Sequence, residues 1–166
     1  DIENLTHFVK AYSEVAPLNL GELWAVPIML RLALLEKLRY VTGAIASQIR
    51  YKELAREWAQ RFVEIVHHRP RELVTELADF VRSDPPLSRA FSAELAVSLQ
   101  GEHPSLRMVI DWIEQDLAEK NQTLEQLLQA AGQDEAIDRV SVANSIVSLR
   151  TFMGLDWSEF VESLSR

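Results

Sequence analysis

Apolar residues recur along most of this chain at steps of three and four, the spacing that places them on one side of an α-helix. Leu5, Phe8, Val9 and Tyr12 mark a first short helix over residues 3–14, and residues 17–20 read as a connector. From Gly21 the helical pattern persists to residue 67. Leu30, Leu34, Leu38, Val41, Ile45 and Ile49 carry it, and Leu54, Trp58, Phe62 and Ile65 continue it on a shifted face. An unbroken helix of that length would run about 70 Å at 1.5 Å per residue. Thr42-Gly43 is the natural place for a kink or break, and Pro27 predicts a local bend. Between residues 23 and 35 apolar side chains occur nearly all round the helix, which predicts cover from several sides.

Punctuation divides the rest. His68-Arg69-Pro70 breaks the chain, and Pro70 opens a helix to about residue 82. Ser83-Asp84-Pro85-Pro86 repeats the signal, with Asp84 expected as N-cap and Pro85 in the first helical position. Gly101 is a left-handed stop, and Pro104 starts a helix whose buried stripe is Leu106, Val109, Ile110, Ile113 and Leu117. Thr123-Leu-Glu-Gln126 is a capping box for a helix to about Phe152. Asp156-Trp-Ser-Glu159 is a second box, for a short helix ending at Leu164. Residues 139–149 alternate partly like a strand, but no second strand is present to pair with them, so helix is the reading. The fold class expected is all-α: a bundle or array of six to seven helices around one long helix, over residues 1–166 as a single domain.

Composition supports this. The 166 residues are 48% hydrophobic and 25% charged, with five glycines and six prolines, too few turn formers for many short strands. No cysteine is present, which removes disulfides, thiolate metal ligands and cysteine nucleophiles. The net charge of −8, with bases interleaved among acids as in Lys52-Glu53 and Arg56-Glu57, argues against nucleic acid and against an anionic membrane surface. The apolar run of residues 23–35 is interrupted by Pro27 and Arg31 and is shorter than the ~20 residues of a membrane span. The start at Asp1, without methionine or signal-peptide pattern, suggests a piece of a longer protein.

Candidate chemistry is sparse. His7, His67, His68 and His103 lack metal-ligand spacing, and no Gly-rich phosphate loop or nucleophile elbow occurs. No catalytic, cofactor-binding or metal residue is therefore expected in this segment. Asp111, Glu114 and Asp116 read as a solvated helix face. Arg31, inside the apolar run, must snorkel out or be paired, with Glu22, Glu36 and a polar group on another helix as its candidate partners, a buried ion pair being the structural reading. A contact site for another domain or ligand is the alternative. Among the four tryptophans, Trp58 and Trp112 fit a core. Trp24 and Trp157, near helix starts, are the interface candidates.

Two stretches carry a family resemblance. Residues 21–39, GELWAVPIMLRLALLEKLR, and residues 140–150, VSVANSIVSLR, followed by Asp156-Trp157 and Phe160, resemble segments in the N-terminal part of bacterial cyclic β-1,2-glucan synthases. Tyr40 stands where a second basic residue is usual, and Ala143 where glycine usually precedes Asn144. The resemblance implies a very large inner-membrane enzyme that builds a β-1,2-glucan from UDP-glucose, with its transferase motifs outside this segment. It implies a non-catalytic helical region on the cytoplasmic side, before the membrane spans, docking on the transferase domain of the same polypeptide. Glu22, Trp24, Arg31, Glu36, Asn144, Arg150, Asp156 and Trp157 are then the structural or docking candidates. A carbohydrate-binding module touching the growing β-glucan, through exposed Trp24 or Trp157, is an alternative, as is an unrelated helical adaptor.

Overall fold

The structure, a computed structural model, describes residues 2–164. Among these there are seven α-helices and no strand: α1 Ile2–Val15, α2 Leu20–His68, α3 Leu73–Arg82, α4 Arg89–Leu99, α5 Arg107–Glu119, α6 Leu124–Gly154 and α7 Trp157–Leu164. Short 3-10 turns at Pro70–Glu72 and Pro104–Leu106 lead into α3 and α5. The all-α class with one dominant helix is as the periodicity predicts.

Local chemistry explains most boundaries. Asn19 and Glu22 form a reciprocal capping box at the start of α2: the Asn19 amide donates to Glu22 Oε2 at 2.7 Å and the Glu22 amide to Asn19 Oδ1 at 3.0 Å. Thr123 and Gln126 do the same for α6, at 3.0 and 3.2 Å. Asn121, with φ 55°, closes α5 in a left-handed position. The Asn121 amide bonds to the Ala118 carbonyl and the Gln122 amide to the Leu117 carbonyl, which satisfies two orphan acceptors of the last turn. Gly101, with φ 83°, follows α4 as expected.

One expectation fails. Asp84 does not cap α4; it adopts φ 49° just past the end of α3, and its amide bonds to the Val81 carbonyl. Pro86 disfavours helical geometry at Pro85, so the chain stays irregular until Ser88, whose hydroxyl accepts from the Phe91 amide at 3.2 Å and caps α4. At Thr42-Gly43, the candidate place for a kink or break, helix α2 continues without a break. Thr42 Oγ1 donates back to the Leu38 carbonyl at 2.7 Å, and Gly43 faces open space where a Cβ would stand. The intact hydrogen-bond ladder on either side outweighs the propensity cost of one glycine, about 1 kcal/mol.

Packing separates into two compact units: residues 1–42 with 140–166, and residues 43–139. The second unit holds a large core. Phe62, Phe80, Phe91, Leu95, Leu106, Val109 and Ile113 are fully buried in it. Phe80 is its centre. Its ring meets Trp58 at 5.0 Å, Phe62 at 5.5 Å and Trp112 at 5.2 Å edge-on, and stacks with Phe91 at 6.2 Å. Edge-to-face pairs add about 0.5–1.5 kcal/mol each beyond burial. Trp58 and Trp112 are thus core residues, and the Arg61 guanidinium covers the Trp58 ring at 4.2 Å.

The first unit has a smaller core. Val9, Leu23, Trp157, Phe160 and Val161 are buried, with Leu5, Leu18, Val26, Leu30, Phe152, Leu155 and Leu164 packed around them. Asp156 caps α7, accepting from the Ser158 amide at 2.9 Å.

Phe80→Ala is expected to cost about 3–5 kcal/mol, because it empties a site that four aromatic rings cannot collapse into. Urea denaturation of the variant against the wild type measures this.

Candidate docking surface

One carbonyl organises the first unit. Phe152 lies in the last turn of α6, where main-chain acceptors lack helical partners. Its oxygen accepts from Trp157 Nε1 at 2.9 Å and from a terminal nitrogen of Arg31 at 3.1 Å. The Trp157 ring packs against Phe152 at 5.8 Å and Phe160 at 5.3 Å. A side chain from α2 and another from α7 therefore meet on the end of α6. This decides one expectation and corrects another. Of the candidate partners of Arg31, the polar group on another helix is the one found, and no ion pair forms with Glu22 or Glu36; Trp157 is a buried anchor, 8% exposed, with no open aromatic face.

Geometry explains why the acids are elsewhere. Glu22 is held in the capping box of α2, and Glu36 bonds to Arg39 at 2.9 Å in an exposed pair one turn away. Exposed pairs of this kind contribute only ~0–1 kcal/mol. Arg31 is half-buried, its Nε is buried without an acceptor, and no carboxylate pairs with it among the described residues. Asn144 and Arg150 are exposed on α6, and Asp156 is exposed at its cap position.

The first unit leaves much apolar surface uncovered. Leu23, Val26 and Leu30 turn one face of α2 into the core. Trp24, Ile28, Leu32 and Leu35, at steps of four, four and three, share the opposite face and are exposed, Trp24 by 45% and Leu32 by 51%. The cover expected on several sides is missing there. On α1, Phe8, Tyr12 and Val15 form another exposed stripe, although Phe8 and Tyr12 belong to the helix's apolar pattern. On α6, Val140 and Val147 flank Asn144 along an exposed row. Among the described residues the first unit exposes fourteen large apolar side chains, against six in the second. Fully burying one such residue contributes about 1.5–3 kcal/mol, so covering the α2 stripe is worth several kcal/mol. Contiguous apolar patches of this kind mark interaction sites.

The second unit carries polar groups instead. Between α2 and α6 a pocket of about 240 Å³ is lined by Ile45, Gln48, Ile49, Lys52, Glu135, Asp138 and Arg139. Lys52 Nζ donates to Glu135 Oε2 at 2.9 Å, Arg139 to Glu135 Oε1 at 2.5 Å, and Gln48 to Asp138 at 3.0 Å. The hydrogen bond from Lys52, its charge and then Arg139 hold the Glu135 carboxyl below its usual range. Asp111, Glu114 and Asp116 on α5 are likewise engaged. Arg107 bridges Asp111 and Glu114 at 2.7 Å each, and Lys120 pairs with Asp116. Among the described residues no cluster of metal-ligating groups occurs, and no helix is long and apolar enough to cross a membrane.

Over 99% of its length the chain is 27% identical to the cyclic β-(1,2)-glucan synthase NdvB of Rhizobium meliloti (strain 1021), and it spans 6% of that protein. The resemblance to a segment of the cyclic β-1,2-glucan synthases holds. No family model matches the chain, and no solved structure does. The two stretches that carry the synthase resemblance, residues 21–39 and 140–150, lie in the first unit. They contain the exposed row of α2 and the Asn144 row of α6.

The sequence allows a polar partner for Arg31 on another helix but does not single out the Phe152 carbonyl, because a main-chain acceptor has no sequence signature. Sequence reasoning missed the Lys52–Glu135 pair, whose partners stand 83 residues apart.

Trp157→Phe keeps an aromatic ring but loses the bond to Phe152. Thermal denaturation is expected to show a loss of about 0.5–1.5 kcal/mol, and Trp157→Ala a larger one of about 3–5 kcal/mol. Glu135 titrates below the ordinary glutamate range, so its contribution to stability is present above that range and fades as the pH falls through the lowered value. Carbon-detected NMR titration should show this midpoint, and Lys52→Met should move it upward.

Proposed function

We propose that the chain is a non-catalytic helical accessory segment of a cyclic β-1,2-glucan synthase, which packs on the transferase part of the same polypeptide. The observation that carries this reading is the uncovered apolar surface of the first unit. A unit with five residues in its buried core and fourteen exposed large apolar side chains is completed by a further surface. The similarity to a segment amounting to 6% of a synthase supports this reading, since a parent of that size has other regions that could supply one. In this reading the segment holds no cofactor, and UDP-glucose binding, transfer and ring closure belong to other regions. It lies on the cytoplasmic side, ahead of the membrane spans, and contacts no nucleic acid.

A glucan-binding role through paired tryptophans has less support, since the Trp157 ring is buried against Phe152 and Phe160 and leaves Trp24 as the one open face of the pair.

Complementation in trans tests the proposal. A synthase deleted for this segment is expected to make little cyclic glucan, the purified chain to transfer no glucose from UDP-glucose, and the two co-expressed to recover production. Transfer by the chain alone, or full activity of the deleted synthase, would overturn it.

A further inference from the structure

The docking reading leaves open which face is used and what occupies it, and the following inference rests on that reading. We infer that the row Trp24, Ile28, Leu32 and Leu35 of α2 receives an apolar helix from another region of the same polypeptide, and that this helix brings a carboxylate to Arg31.

Shape comes first. The row runs eleven residues along α2, about 16 Å at 1.5 Å per residue, which matches three turns of a partner helix. Ridges of this spacing take the side chains of another helix into their grooves. Arg31 stands on the edge of the row, three residues after Ile28 and four before Leu35, hence one turn from each.

Charge then specifies the partner. A guanidinium has five N–H donors, and the structure gives that of Arg31 one acceptor, the Phe152 carbonyl. Its Nε is buried without an acceptor, and no acid among the described residues reaches it. Covering the neighbouring apolar row removes more water from the same cation. A buried charge is tolerated when paired, so the covering element supplies the acid.

Other occupants fit less well. A helix lying on an anionic membrane carries a Lys- and Arg-rich polar face. Here Arg39 is paired with Glu36, and the whole chain bears a charge of −8. A two-fold dimer through the row would bring two Arg31 guanidinia within a turn of each other, like charges with no acid between them. The length of the synthase outside the matched segment leaves ample chain to supply the partner helix.

The test is photo-crosslinking in the full-length synthase, with a benzophenone amino acid replacing Leu32 and, in a second variant, Ile28. Mass spectrometry is expected to find one peptide of the same chain, outside this segment, with apolar residues at helical spacing and an Asp or Glu among them. Changing that acid to Arg should lower the crosslink yield severalfold, and adding Arg31→Glu should restore it. Because Arg31 also holds the Phe152 carbonyl, the acid variant alone decides the charge claim if Arg31→Glu fails to fold. Crosslinks to lipid, to a second copy or to a peptide without an acid overturn the inference, as does no product above background at both positions. Each can occur while complementation in trans succeeds, so failure here is distinct from failure of the accessory-segment reading.

Discussion

A helix hides only as much of its circumference as its neighbours cover, and residues 23–35 of α2 are apolar nearly all the way round. Leu23, Val26 and Leu30 use up the face that the first unit's core offers. Trp24, Ile28, Leu32 and Leu35 then have nowhere to go but outward. The exposed row and the half-buried Arg31 beside it both follow from that constraint.

The two units meet the same problem differently. In the second, short helices and 3-10 turns wrap aromatic residues around Phe80, and every ring there finds others. Several of its polar residues pair with each other, as in the Lys52–Glu135–Arg139 network. In the first, a handful of buried side chains and one doubly accepting carbonyl hold α2, α6 and α7 together. Such a core fixes local geometry, but it hides little of the apolar surface its own helices carry.

Much of this was legible beforehand. Helix type followed from spacing, and the capping box at Thr123, the stop at Gly101 and the core role of Trp58 and Trp112 were read directly. The family resemblance was also readable, from residues 21–39 and 140–150. What could not be read was tertiary. The pattern at Phe8 and Tyr12 looks the same whether or not a neighbour covers it. Arg31 among apolar residues calls for a partner, a nearby acid or a polar group on another helix, and only the fold shows that Glu22 and Glu36 are held by local bonds while α6 supplies the acceptor. Asp84 was misread because a helix stop and a helix start draw on the same small polar residues, and only its positive φ separates them. The division of packing has no punctuation in the sequence, since α2 and α6 each contribute residues to both units without a break.

Hydroxyl-radical footprinting tests the central claim most directly. Trp24 and Met29 are exposed in this chain and react readily, and Met108, at the edge of exposure in the second unit, serves as an internal reference. Trp24 is predicted to lose most of its reactivity in the full-length synthase relative to the isolated chain. Equal reactivity of Trp24 in both would show that the row stays open to water, and would contradict the account.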